Sequence, residues 1–170
     1  MALRKIITSQ DPVLRKKSRP VEVFDEKLGL LLDDLKETMY KYEGVGLAAV
    51  QVGVLKRAIV IDIGEGPIEL VNPVIIKTKG SQEDSEGCLS FPNQYGIVER
   101  PYEVTVRARN RKGEEVEYTG TGLLARAFCH EIDHLDGVLF VDHVKEMLEP
   151  ERPRRRRVFD RLERRGGGQA

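Results

Sequence analysis

The chain has 170 residues, of which 40% are hydrophobic and 33% are charged, and its formal net charge is zero. This length and composition fit one globular domain with a single core, and they exclude collagen-like and largely disordered chains. No apolar run approaches the ~18 residues of a membrane span, and two cysteines are too few for a disulfide scaffold.

The charge is distributed unevenly along the chain. Residues 152–170 contain eight arginines and two acidic residues, which gives this segment a charge of +6 and leaves −6 on residues 1–151. We therefore expect one folded domain over residues 1–150 and a basic tail over residues 151–170, helical or disordered. Because residues 1–12 lack an apolar stretch followed by a small-residue cleavage site, we expect no secretory signal and a cytoplasmic location.

A helix is predicted in the first third of the chain. Apolar residues follow one another at spacings of three and four between Leu28 and Met39, which is typical of a helix that buries one face. Asp25 is a suitable N-cap, so the helix is expected over roughly residues 25–42, before Gly44.

Short apolar segments in the middle of the chain predict a sheet. Residues 58–63 are rich in β-branched side chains and predict a buried strand, and residues 70–76 predict a second strand that Asn72-Pro73 interrupts. Apolar and polar residues alternate over 104–109, which predicts a half-exposed strand that returns from about residue 116 after a turn.

A second helix is predicted from about Leu123 to Leu135, ending near Gly137. Together these elements predict an α+β fold. Mostly antiparallel strands would pack around this second, central helix, with the N-terminal helix before it and the basic tail after it.

The central helix carries the strongest chemical signal, a His-Glu-x-x-His motif at His130, Glu131 and His134. Two histidines one turn apart lie on one helix face, and both can bind one metal ion at about 2.0–2.1 Å. Glu131 lies beside the first histidine, where a carboxylate can act as a general base. The alternative is a helix surface that happens to carry two histidines, which the intervening glutamate and the apolar neighbours disfavour.

A catalytic metal site of this kind needs a third protein ligand. One metalloprotease class has a histidine six residues after the second one, but here that position is Phe140, which cannot bind a metal. Another class uses a later glutamate, for which Glu146, Glu149 and Glu151 are candidates.

Two cysteines are further candidates for the third ligand. Cys88 follows Gly87 in a Glu-Gly-Cys-Leu-Ser segment, although a small buried hydrophobic role explains it equally well. Cys129 adjoins His130 and would point about 100° away from it on a helix, so we assign Cys129 to packing.

A third segment of interest is Gly-Val-Gly-Leu-Ala-Ala-Val-Gln at residues 44–51. Its glycines and alanines allow another backbone to approach closely, and Gln51 offers an amide donor. Considered alone, the segment is better explained as a tight joint between a helix and a strand.

Together these three segments resemble those of the peptide deformylases, in the same order and over roughly residues 3–145. The resemblance implies that Cys88, His130 and His134 bind one divalent ion, Fe²⁺ in the cell, which Zn²⁺, Ni²⁺ or Co²⁺ can replace. It also implies that Glu131 is the general base and that Gln51 assists the oxyanion. We add the backbone N–H of Leu89 as a second oxyanion donor, and the metal as a third partner of that oxygen.

The implied activity is hydrolysis of the N-formyl group from N-formylmethionine of nascent polypeptides, with release of formate. Residues 1–150 would then be a single catalytic metallohydrolase domain. A zinc-dependent endopeptidase of the His-Glu-x-x-His type is the alternative enzyme. A metal-stabilised domain that docks on nucleic acid through its arginines is a third hypothesis.

Substrate contacts are predicted in three places. Val45, Leu123 and Ala127 are expected to line an apolar pocket for the methionine side chain, with ordinary core packing as the alternative for the two helix residues. The substrate backbone is expected to add as a strand beside Gly44 to Gly46, and Tyr95 to lie in the cleft. The basic tail is expected to bind the ribosome through phosphate groups, or else to be a solvated segment.

Overall fold

Two α-helices and eight β-strands make up the regular structure of the computed structural model, which describes residues 2–148. Met1 and residues 149–170, which include the predicted basic tail, lie outside the described residues. The helices are α1 (Glu26–Lys41) and α2 (Leu123–Leu135), and the strands are β1 (Gly46–Ala48), β2 (Ala58–Ile61), β3 (Ile68–Lys79), β4 (Gln82–Cys88), β5 (Phe91–Arg100), β6 (Glu103–Arg109), β7 (Glu115–Thr121) and β8 (Val144–Met147). Three short 3₁₀ helices cover Pro12–Arg15, Ala49–Val52 and Phe140–Asp142.

Helix α1 begins and ends close to where the sequence predicts. The Asp25 side chain accepts a hydrogen bond from the Leu28 N–H at 3.1 Å, which satisfies one of the free donors of the first turn. The predicted apolar residues form the buried face, namely Leu28, Leu31, Leu32, Leu35 and Met39. This helix prediction is confirmed.

The larger sheet is antiparallel throughout and has the strand order β1-β2-β3-β6-β7, so that β1 is an edge strand. The strands predicted at residues 58–63, 104–109 and from residue 116 are β2, β6 and β7. The predicted interruption of β3 is a register shift between Val71 and Val74. There Asn72 has a φ of 52°, and its side-chain amide bonds to both backbone groups of Val21.

The smaller sheet has the strand order β4-β5-β8, and the sequence analysis did not predict it. Strands β4 and β5 form a hairpin whose register shifts between Gly87 and Cys88, so that Cys88 pairs with Phe91 beside the turn. Cys88 therefore lies at the very end of β4, where the backbone leaves the regular ladder.

The two helices cover opposite faces of the larger sheet. Alternate residues of β2 point to opposite faces: Ile59 and Ile61 join the cluster that contains α2, while Val60 joins the cluster that contains α1. Phe128 and Leu135 of α2 are fully buried in the first cluster. The predicted α+β class with antiparallel strands is confirmed. Within the described residues, neither helix is long and apolar enough to span a membrane.

Candidate metal centre

Three side chains with metal-binding atoms converge where the end of β4 meets α2. The sulfur of Cys88 and ring nitrogens of His130 and His134 all lie within 4.8 Å of one another, and Cys88 Sγ lies 3.3 Å from His134 Nε2. The two imidazoles are 2% and 1% exposed, whereas Cys88 is partly exposed. The cluster can therefore hold one ion, and the sulfur is its more exposed member.

Neither of the other two candidate ligands that the structure describes, Glu146 and Cys129, joins this cluster. Glu146 is exposed on β8, and Glu149 and Glu151 lie outside the described residues. Cys129 is buried among core residues, and burial raises the pKa of its thiol to about 11, which keeps it protonated at neutral pH. Since a metal binds the thiolate, Cys88 is the better sulfur ligand of the two.

The charge around the two imidazoles fits a cation. Burial and the neighbouring His130 hold the pKa of His134 well below its ordinary value, which leaves this ring neutral, as a ligand must be. Burial would also lower the pKa of His130, but hydrogen bonds with Cys88 and Glu86 outweigh it and raise that pKa well above the usual value. The groups that raise it, the Cys88 sulfur and the Glu86 carboxylate, also attract a cation, and a bound metal would displace the proton from the ring nitrogen that it occupies. The donor set of one sulfur and two imidazoles fits a divalent ion.

Glu86 orients the imidazole of His130. Its carboxylate is fully buried, and Oε1 lies 2.8 Å from His130 Nδ1. Burial alone would raise the pKa of Glu86, but hydrogen bonds with His130 and Arg100 hold it well below its ordinary range. Because an ionised carboxylate only accepts hydrogen bonds, Nδ1 of His130 carries the proton and Nε2 remains for the ion.

The residues that surround Glu86 were missed by the sequence analysis. Arg100 donates to both oxygens, at 3.1 and 2.6 Å, and Arg126 donates to Oε2 at 2.7 Å. A signal was present in the sequence, because Arg126 is the one charged residue between Leu123 and Cys129 and lies one helical turn before His130.

Glu131 lies between the ligands on α2 and is 2% exposed. Burial raises its pKa to about 7, although the charge of His130 opposes this rise. Its Oε1 atom is buried and has no hydrogen-bond partner among the described residues. A carboxylate with a pKa near neutrality can both accept and return a proton.

Gln51 contacts Cys88 from the 3₁₀ helix Ala49–Val52. Its Oε1 accepts a hydrogen bond from the Ala48 N–H at 3.0 Å, which turns the amide nitrogen toward the site. That Nε2 donates to Ser90 Oγ at 3.0 Å and lies 3.4 Å from Cys88 Sγ. The structure thus brings a side-chain N–H donor to the cysteine, while the predicted contact with the oxyanion stays a prediction.

A cleft of about 410 Å³ opens at Cys88 and Leu89. Its other walls come from the N-terminal segment, the end of α1 and strand β5, namely Lys5, Ile6, Thr8, Tyr42, Pro92, Asn93 and Tyr95. Tyr95 therefore lines this cleft, while its predicted contact with substrate stays a prediction.

The residues predicted for the methionine pocket do not line this cleft. Val45 and Ala127 are fully buried members of the core cluster around α2, and Leu123 is half-buried at the start of that helix. Gly44 and Gly46 are buried beside the site. An added Cβ at Gly44 would lie 2.7 Å from a methyl carbon of Leu89, so this glycine lets the strand approach the turn after Cys88.

The sequence profile of the polypeptide deformylases matches residues 3–149. The chain belongs to the polypeptide deformylase family. It is 62% identical over 157 residues to a peptide deformylase of Caldicellulosiruptor bescii, a match that covers 92% of this chain and 95% of that one. A peptide deformylase of Alkaliphilus metalliredigens is 63% identical over 144 residues, which are 85% of this chain and 98% of that one.

Solved polypeptide deformylase structures have the same fold. The crystal structure of the enzyme from Thermotoga maritima superposes with a TM-score of 0.82 at 44% identity, over 84% of this chain and 98% of that one. The matched family region contains all three predicted motifs, which lie at residues 44–51, 86–90 and 130–134. Membership of this family does not favour the endopeptidase alternative.

Proposed function

We propose that Cys88, His130 and His134 hold one divalent metal ion and that Glu131 transfers protons beside it. As a member of the polypeptide deformylase family, the chain is a hydrolase that removes the N-formyl group from N-formylmethionyl nascent polypeptides. The observation that carries the residue assignment is the convergence of three ligand atoms within 4.8 Å beside a buried carboxylate.

The resident ion is proposed to be Fe²⁺, which Zn²⁺, Ni²⁺ or Co²⁺ can replace. One thiolate and two imidazoles suit such first-row transition metals, whereas Mg²⁺ and Ca²⁺ prefer oxygen ligands. When bound, such an ion would lower the pKa of a water ligand toward about 7 and would polarise a carbonyl oxygen.

Glu131 carries the proton through the reaction. Its carboxylate accepts a proton as water attacks the formyl carbon, and it returns that proton to the amine nitrogen as the C–N bond breaks. Water and the formyl amide thus become formate and a free α-amino group. Burial supports this role, because a carboxylate with a pKa of about 7 holds a proton neither too weakly nor too tightly for transfer near neutral pH.

Two N–H donors are proposed to stabilise the oxyanion that develops on the formyl group. The Gln51 amide is 1% exposed and is held by its bond to the Ala48 N–H, so it needs little rearrangement when charge develops. The backbone N–H of Leu89 follows the cysteine ligand directly and is the second proposed donor.

The substrate is proposed to lie in the cleft at Cys88 and Leu89. Strand β1 is an edge of the larger sheet, so the peptide backbone can pair as an additional strand beside Gly44 to Gly46. Tyr95 forms part of the wall of the cleft. The pocket for the methionine side chain at Val45, Leu123 and Ala127 stays a prediction.

Formate release from an N-formyl-Met peptide tests the function. The assay is run under anaerobic conditions to protect Fe²⁺, beside the same peptide without the formyl group. We expect formate from the first peptide and no cleavage of the second. Hydrolysis of an internal peptide bond without formate would contradict the proposal and favour the endopeptidase.

A further inference from the structure

Arg126 is a second arginine on the carboxylate that orients His130. It is 2% exposed, and its Nη1 donates to Glu86 Oε2 at 2.7 Å and to the Val98 carbonyl at 3.0 Å. Arg100 already donates to both oxygens of Glu86, so neither oxygen would lack a hydrogen-bond donor without Arg126. A second buried arginine on the same carboxylate therefore requires an explanation.

The contacts with Glu86 supply that explanation. His130 contacts Oε1 of the carboxylate, whereas Arg126, one turn earlier on α2, contacts Oε2. One contact with the helix would let the carboxylate pivot about its bond to His130, while two contacts fix its plane relative to α2. Because the imidazole follows the oxygen that accepts its proton, the direction of His130 Nε2 is fixed as well.

The charges of the buried network agree with this arrangement. Arg100 also donates to Asp133 at 2.9 Å, so its single positive charge is shared between two carboxylates, and Arg126 supplies a second guanidinium to Glu86. Without Arg126, Arg100 would be the one guanidinium beside both carboxylates, and Glu86 would lose its guanidinium partner on α2. A buried network of this kind is stable only when each charged member is paired.

We propose that Arg126 is a positioning residue for the metal centre, which holds Glu86 so that Nε2 of His130 points toward the ion. Arg126 acts through Glu86 and His130 rather than on the substrate. The proposal rests on the metal site put forward under the proposed function and adds a determinant of its geometry.

Replacement by methionine, Arg126→Met, tests the proposal. Metal-free protein is titrated with Co²⁺, and the absorption bands of the Co²⁺ form are recorded because they report the ligand geometry. We expect about 10- to 100-fold weaker Co²⁺ binding, the usual effect of losing such an outer partner, with shifted bands and a lower kcat at little changed KM. Arg126→Lys keeps the charge and should recover most of the affinity.

Arg111→Met is the matched control. Arg111 donates to Glu69 and Asp33 outside the metal site, so its loss should lower the thermal midpoint without changing Co²⁺ affinity or the spectrum. Wild-type affinity and an unchanged spectrum in Arg126→Met would overturn the proposal. If that variant does not fold, Arg126→Gln replaces it and is held to the same criteria.

The outcome also separates this inference from the proposed function. A wild-type protein that binds Co²⁺ tightly but releases no formate would contradict the deformylase mechanism. A tenfold or greater loss of Co²⁺ affinity in Arg126→Met would still support the positioning role in that case.

Discussion

The backbone of Gly46 lies directly against the carboxylate of Glu131. A Cβ added at Gly46 would lie 2.5 Å from Oε2 and 2.9 Å from Cδ of Glu131, far inside the ~3.5–4.0 Å optimum for non-bonded heavy atoms. Because Gly46 begins β1 and Glu131 belongs to α2, the edge strand limits where the Glu131 carboxylate can lie.

The first prediction concerns Gly46→Ala. The added methyl group should displace the Glu131 carboxylate and reduce turnover by about 10²-fold, the scale expected for a shift of about 1 Å at a catalytic group. Metal content should stay at the wild-type level, because the clash involves no ligand. Formate release and metal analysis measure the two effects. Gly29→Ala in α1 is the control and should keep full activity, and full activity in Gly46→Ala would contradict the prediction.

The second prediction concerns Glu131→Gln. The amide is nearly the same size, so the metal and the fold should be retained, while turnover should fall by about 10² or more because the general base is lost. Single-turnover formate release from an N-formyl-Met peptide gives the rate, and metal analysis of the same sample gives the occupancy. Turnover equal to that of the wild type would remove Glu131 from the mechanism.

The third prediction separates the two cysteines. Cys88→Ala should release the metal, because two imidazoles alone hold an ion poorly and the substitution removes the thiolate. Cys129→Ala should retain the metal and instead lower the free energy of unfolding by about 1 kcal/mol, the usual loss for a small buried truncation. Metal content after gel filtration and the denaturant midpoint report both effects. Full occupancy in Cys88→Ala would make that cysteine structural.

Some elements of the fold could be predicted because their signals are local. The apolar spacing and the Asp25 cap of α1 lie within one helix, and the observed helix, Glu26–Lys41, matches the predicted one closely. The spacing of His130 and His134 likewise fixes their shared face once residues 123–135 are helical. These patterns depend on residues that are close in the sequence, so they can be recognised without knowledge of the tertiary structure.

The hairpin of β4 and β5 and the network around Glu86 could not be predicted in this way. Residues 82–87 are mostly polar or acidic, a composition that disfavours strands, and the residues that stabilise them come from distant segments. Glu86 is separated from Arg126 by 40 residues and from His130 by 44. Burial of a carboxylate is favourable only when such partners are in place, and the sequence alone does not show where those partners lie.

The fourth prediction concerns the basic tail, which lies outside the described residues. Deletion of residues 152–170 should weaken binding to ribosomes, and the difference should shrink as salt rises, because contacts between arginine and phosphate release counterions. Hydrolysis of short N-formyl peptides should not change. Replacement of residues 154–157 by glutamine is the matched variant and should reproduce most of the loss. Equal ribosome affinity for the full-length and shortened proteins at every salt concentration would contradict the tail's role.

The fifth prediction compares two tyrosines that are equally exposed, at 50% each. Tyr42 lines the cleft at Cys88 and Leu89, whereas Tyr102 lies outside it, so only Tyr42 can contact a bound peptide there. Tyr42→Ala should raise KM about three- to tenfold for peptides of three or more residues, the loss expected for one aromatic contact, and should leave kcat nearly unchanged. The rise in KM should be smaller for formyl-Met-Ala, because this dipeptide is too short to reach the part of the cleft wall that Tyr42 forms. Tyr102→Ala should match the wild type with both substrates, and an equal rise in KM for both variants would place the substrate elsewhere.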